Sequence, residues 1–174
     1  MTVTEIIEAL RHRLVASGGR HLYAVLGTYK ALASFSEDLQ KTEDANSKPF
    51  PTPLSVNRGI LESLPDDRFK ELVEDEAKYP QTARDEVQNA FETYVDACLQ
   101  RDGLIILNDL EMVFAYGLEL GRLRAIAADS YRILLLLPGR RNGSRVELFS
   151  EAGSDPIYLP PSLIADNQTW EIGT

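Results

Sequence analysis

A chain of 174 residues, 44% hydrophobic and 26% charged, can bury roughly two thirds of its unfolded surface in one core and is too apolar to remain disordered. Its formal net charge of -9 argues against wholesale wrapping of nucleic acid or adhesion to an anionic membrane, both of which need a basic surface. The lone cysteine, Cys98, excludes an internal disulfide, and neither a membrane-spanning run nor a signal-peptide pattern is present, so a single cytoplasmic domain over residues 1–174 is expected.

Thr2-Val3-Thr4-Glu5 fits a capping box, and Ile6, Ile7, Leu10 and Leu14 then recur at helical spacing until Gly18-Gly19. His21 to Leu26 reads as a strand ended by Gly27, and Thr28 to Gln40 as a helix carrying Tyr29, Leu32, Phe35 and Leu39 on one side. The polar, proline-rich stretch 41–53 reads as a mobile or extended loop within the domain. Leu54 to Val56 follows as a short strand and Arg58 to Leu64 as a short helix closed by Pro65. Asp66 and Asp67 supply an N-cap for a helix through Tyr79 with Phe69, Leu72 and Val73 inward. Pro80 breaks it, and Thr82 with Asp85 starts another helix to about Arg101 on Val87, Phe91, Tyr94, Val95 and Cys98. The acidic charge of these two helices is most simply a solvated face, ahead of an acidic docking site.

Leu104 to Leu107 and Ile133 to Leu137 are unbroken aliphatic runs bounded by polar or turn residues. Such runs are strands buried on both faces, and they place the chain in the α/β class: three layers, helix, sheet and helix, with a mostly parallel central sheet. Between them Leu118 to Asp129 reads as a helix with Leu120, Leu123, Ile126 and Ala127 as its apolar stripe. Pro138-Gly139 should end the second strand, and Asn142-Gly143 signals a type I′ antiparallel hairpin leading to Arg145 to Phe149. The remaining stretch, 155–174, reads as an irregular strap that includes Trp170 and leaves room for a last strand.

Two groups of residues could carry chemistry. A strand, a glycine and a helix in succession place free N–H groups where α/β proteins bind anions, and this nominates Gly27, Thr28 and Lys30. Asp109 and Glu111, after the aliphatic strand, stand where nucleotide hydrolases place metal-associated acids, although acids there more often cap the next segment. A phosphate loop needs G-x-x-x-x-G-K-[ST]; here the second glycine is missing and Ala31 stands in place of the metal-binding hydroxyl. The arginines Arg132, Arg140, Arg141 and Arg145 form the second group, fit for an acidic partner, an anion or a nucleic-acid backbone, or simply for protecting a sheet edge. His12 and His21 have no companions at metal spacing, no catalytic triad can be assembled, and Cys98 falls on an apolar helix face as a structural thiol.

The segment Leu107 to Phe114, the helix after it, Arg132 to Arg140 and the hairpin ending Val146-Glu147-Leu148-Phe149 resemble the C-terminal half of small proteins of bacterial BREX phage-defence systems. The BrxF type, a small P-loop protein, and the BrxB type share this order of elements, and Ser55-Val56-Asn57 leading to Leu64-Pro65 also resembles the BrxF pattern. The resemblance implies a degenerate P-loop-NTPase-like fold, with Lys30 nearest the phosphate-loop lysine and Asn108 or Asp109 in place of the metal-associated acid. Through its BrxB side it implies a non-enzymatic subunit that binds defence proteins such as a PglZ-like phosphatase-fold protein or a large ATPase. The expectation is therefore a non-catalytic adaptor with no cofactor. A nucleotide-binding switch or weak ATPase using Mg-ATP is the alternative, and nucleic-acid backbone binding the second alternative.

Overall fold

The structure, a computed structural model, describes residues 1–153 and 155–173. The aliphatic runs become β3 (Leu104–Asn108) and the first half of β4 (Arg132–Asn142), which pair in parallel, Ile105 opposite Ile133 and Leu107 opposite Leu135. β1 (Leu22–Gly27) lies parallel on the other side of β4, and β7 (Thr169–Glu171) parallel beyond β1. With the two-residue β2 (Leu54–Ser55) beside β3, the parallel order is β2-β3-β4-β1-β7.

Alternate residues of these strands enter two separate cores, because successive strand side chains point to opposite faces. Tyr23, Val25, Ile106, Leu134 and Leu136 pack with α1 (Val3–Val15), α2 (Tyr29–Gln40) and Phe50. Leu22, Leu26, Ile105, Leu107, Ile133, Leu135 and Leu137 pack against α3 (Val56–Ser63), α4 (Asp66–Asp75), α5 (Pro80–Asp102), α6 (Glu111–Ala115) and α7 (Gly121–Ile126). The chain is thus a mixed α/β fold with helices on both faces of a mostly parallel sheet. The connection from β1 to β2 uses the α1/α2 face, and those from β2 to β3 and from β3 to β4 use the other, as a single crossover hand requires. No described helix is long and apolar enough to cross a membrane.

Several elements differ from the expectation. The helix expected over 66–79 stops at Asp75, and its N-cap is Pro65, with Asp66 and Asp67 in its first turn. Its stripe does not turn inward: Leu72 is buried, while Phe69 is 39% and Val73 54% exposed, because a ten-residue helix on the outside of α5 reaches the core with one leucine. Pro80 opens α5 at its first turn, where a missing N–H costs nothing. The helix expected over 118–129 is reduced to Gly121–Ile126, because Leu118 and Leu120 turn into the core from irregular backbone.

Pro138-Gly139 does not end β4, which changes partner there. Through Pro138 it pairs with β1, and from Gly139 it pairs antiparallel with β5 (Arg145–Leu148). Gly139 allows this switch, since a Cβ there would lie 2.5 Å from the Glu147 carbonyl oxygen. The two loop residues are Gly143 and Ser144, with Gly143 alone at positive φ (61°), so the turn is of the II′ kind and begins one residue later than Asn142-Gly143 implied. The strap carries β6 (Ile157–Tyr158) and β7, so it supplies an edge of the central sheet. Residues 41–53 fold around Asp44, whose carboxylate accepts from the N–H groups of Asn46 and Lys48, and Phe50 is buried behind α2.

Candidate functional site

The carboxyl ends of β1, β3 and β4 meet the N-terminus of α2, and two clefts flank that helix's first turn. One, of about 520 Å³, is walled by Gly27, Thr28, Pro138, Arg140, Glu151 and Ile172. The other, of about 400 Å³, is walled by Tyr29, Ser36, Asn108, Asp109, Leu136 and Pro138. The structure therefore brings Gly27 and Thr28 to one side of Pro138 and Asp109 to the other. Lys30 is exposed and belongs to the walls of neither cleft.

A helix start binds anions through its unsatisfied N–H groups. At α2 those of Tyr29 and Ala31 are already engaged. The Thr28 side chain caps the helix, its Oγ1 accepting from Ala31 N at 3.1 Å, and the Thr28 carbonyl accepts from Leu32 N at 2.9 Å. Tyr29 N donates to the Glu151 carboxylate at 3.4 Å, which the chain carries back to this point after Phe149 turns at a left-handed φ of 57°. Gly27 lies beneath Ile172, whose Cδ1 would be 3.3 Å from a Cβ at that position.

The field at this edge is negative. The Tyr29 hydroxyl donates to Glu111 at 3.0 Å, and the other Glu111 oxygen accepts from Asn57 Nδ2 at 2.9 Å. Asn57 also accepts from Met112 N through its Oδ1 (3.0 Å) and donates its own N–H to the Asp109 carbonyl (3.0 Å), which clamps Asp109 at a left-handed φ of 51°. Desolvation of the hydroxyl, the bond to Glu111 and the charges of Glu111, Glu151 and Asp109 push the Tyr29 phenol up to about 12, although 41% of the residue is exposed. Glu111 thus braces the loop after β3 while Asp109 faces a cleft.

The arginines do not form one group. Arg132 sits at the opposite end of the strands, where its guanidinium donates to the carbonyls of Leu14, Ala16 and Ser130 at 2.9, 3.0 and 3.0 Å. It closes the C-terminal end of α1 and is no part of an anion site with the others. Arg141 donates to Asp166 and to the Thr169 carbonyl, holding the strap to β4. Arg140 pairs with Glu147 at 3.5 Å, and Arg145 lies over the Tyr158 ring, 5.5 Å from its centre. Cys98 is buried on α5. Among the described residues no group of three or more His, Cys, Asp or Glu side chains could hold a metal ion.

Sequence reasoning misses Tyr29, Asn57 and Glu151 as parts of this site. Asn57 lies two residues after β2, whose Ser55 pairs with Asn108, and that placement is its one sequence signal. Glu151 has none, since only the hairpin returns it to α2. The sequence matches no protein-family model, no curated protein and no solved structure.

Proposed function

We propose that this chain is a non-catalytic adaptor, a P-loop-like α/β protein whose phosphate seat is closed by its own side chains. The observation that carries this reading is the engagement of the α2 N-terminus by Thr28 and Glu151 within a ring of three carboxylates, Asp109, Glu111 and Glu151, around Tyr29. Like charges about 5 Å apart repel by roughly 3 kcal/mol per pair at an effective dielectric of about 20, so a polyphosphate meets a repulsive field there. Lys30, outside both clefts, is poorly placed to offset it. The P-loop-like part of the reading draws support from the glycine that ends β1, the helix after it and the acids after β3, all at the carboxyl ends of parallel strands.

Following the resemblance to BREX proteins, the adaptor serves a bacterial antiphage complex and binds a PglZ-like phosphatase-fold protein or a large ATPase. Co-purification with the products of neighbouring genes tests this, and recovery of the chain alone as a monomer counts heavily against it.

A second reading, a nucleotide-binding switch built on Lys30, Asp109 and Glu111, draws on the cleft of about 400 Å³ beside Asp109. Calorimetry with millimolar Mg-ATP separates the two: the adaptor gives no heat, and saturable one-to-one binding selects the switch. Nucleic-acid backbone binding has the least support, because Arg140, Arg141 and Arg145 already have partners within the chain and Arg132 lies at the far end of the strands.

A further inference from the structure

The outward turn of α4 leaves an apolar face without a partner. Of the nine large hydrophobic residues exposed among the described residues, four fall between Leu61 and Tyr79: Leu61 and Phe69 at 39%, Val73 at 54% and Tyr79 at 60%. Phe69 and Val73 are one helical turn apart on the same side of α4, so they form one continuous patch. The helix is fastened to the body through buried Leu72 and the Arg68–Glu86 ion pair.

The charge around this patch selects what can cover it. Residues 61–79 hold seven acidic residues (Glu62, Asp66, Asp67, Glu71, Glu74, Asp75, Glu76) against three basic ones (Arg68, Lys70, Lys78). Glu71 pairs with Arg68 and Glu76 accepts from Tyr116, whereas Glu62, Asp66, Asp67 and Glu74 are exposed and have no ion-pair partner among the described residues. A second copy of the chain would set these acids against themselves, since a two-fold interface apposes the same patch. Anionic lipid and nucleic acid are repelled in the same way.

We infer that the Phe69/Val73 face of α4 is a docking surface for a basic amphipathic segment of a partner protein. Apolar side chains of that segment cover Phe69 and Val73, and its lysines or arginines meet Asp66 and Glu76, each three positions from one of the two and on the same side of the helix. The inference rests on the adaptor reading and supplies the chemistry of the partner; it uses no residue of the α2 end.

Calorimetry of the full chain with a synthetic helical peptide of leucines and lysines at amphipathic spacing, and with its leucine–glutamate counterpart, tests it. The expected result is binding of the lysine peptide alone, weakened by added salt and about tenfold weaker for the double variant Phe69→Ser, Val73→Ser, a loss of the size of one interface anchor. The charge variant Asp66→Asn, Glu76→Gln should also weaken binding, and it decides the matter if circular dichroism finds the apolar variant unfolded. Absence of binding to the unaltered chain, or equal affinity for chain and variants, overturns the proposal. Partner capture retained by both variants overturns this surface and leaves the adaptor reading standing, whereas one-to-one binding of Mg-ATP removes that reading while a variant-sensitive peptide result still locates the surface.

Discussion

The ring of Tyr94 on α5 occupies the space that a β-carbon on Gly59 of α3 would need, with Cε1 and Cζ both 2.3 Å from that position. Two helices that cover the sheet on the same face are therefore in contact through a residue with no side chain. Gly59→Ala should destabilise the fold by about 1–3 kcal/mol, the usual size of an overpacking strain, despite the better helix propensity of alanine. Urea unfolding checks it. In a Tyr94→Ala background the same substitution should cost nothing or stabilise, and an equal cost in both backgrounds would refute the contact.

The partner switch of β4 depends on Gly139 for a different reason. Its missing Cβ makes room for the backbone of β5, with Glu147 O at 2.5 Å and Leu148 Cδ2 at 2.8 Å, and a carbonyl cannot swing aside as a side chain can. Gly139→Ala should cost more than about 2 kcal/mol. Gly143→Ala, with open space around it but at the first central position of a II′ turn, where a φ of 61° disfavours any side chain, should cost about 1–2 kcal/mol. Thermal unfolding of the two variants side by side tests the order, and the reverse order is incompatible with the bend.

His21, 2% exposed, should make stability depend on pH. Its Nδ1 lies 2.9 Å from the Tyr23 hydroxyl, and its Nε2 is buried with no partner. Burial, and next the nearby Arg132 guanidinium, lower its pKa from 6.5, against a smaller opposing pull from Asp129. A base with a depressed folded pKa takes up protons more readily when unfolded. Its contribution is therefore complete above the unfolded pKa and lost as pH falls below about 6.5 toward the folded value. Chemical denaturation between pH 7.5 and 5, both on the order of one unit either side of an ordinary histidine pKa, should reveal a decline that His21→Leu flattens. A decline of the same slope in that variant would assign the effect to other groups.

Arg132→Ala should behave as a stability variant. The guanidinium satisfies the carbonyls of Leu14, Ala16 and Ser130, so its removal leaves the end of α1 open and should cost about 1–3 kcal/mol. Arg132→Lys should recover part of this, since an ammonium cannot reach three carbonyls with a planar fork. Urea midpoints for the three proteins are the measurement, and an unchanged midpoint for Arg132→Ala would remove the clasp.

Much of the fold is legible in the residue order, because the signals involved are local. Unbroken aliphatic runs from Leu104 and Ile133 can only be strands covered on both faces, Thr2 with Glu5 caps the helix it precedes, and Gly27 followed by a helix marks the strand ends where a site would lie. Tertiary structure decided what depends on distant segments meeting. Arg132 and Arg141 are nine positions apart in one strand, about 3.3 Å per residue, and so lie toward opposite ends of that strand with different duties. Phe69 and Val73 carry the same periodic pattern as an inward stripe, and only the placement of α4 outside α5 turned them to the surface. Glu151 reaches the start of α2 because a hairpin brings it back across the sheet edge, and no local pattern encodes a contact across 122 residues. Periodicity and capping are properties of neighbouring residues, whereas the occupancy of a helix terminus and the exposure of a stripe depend on which remote segment arrives there.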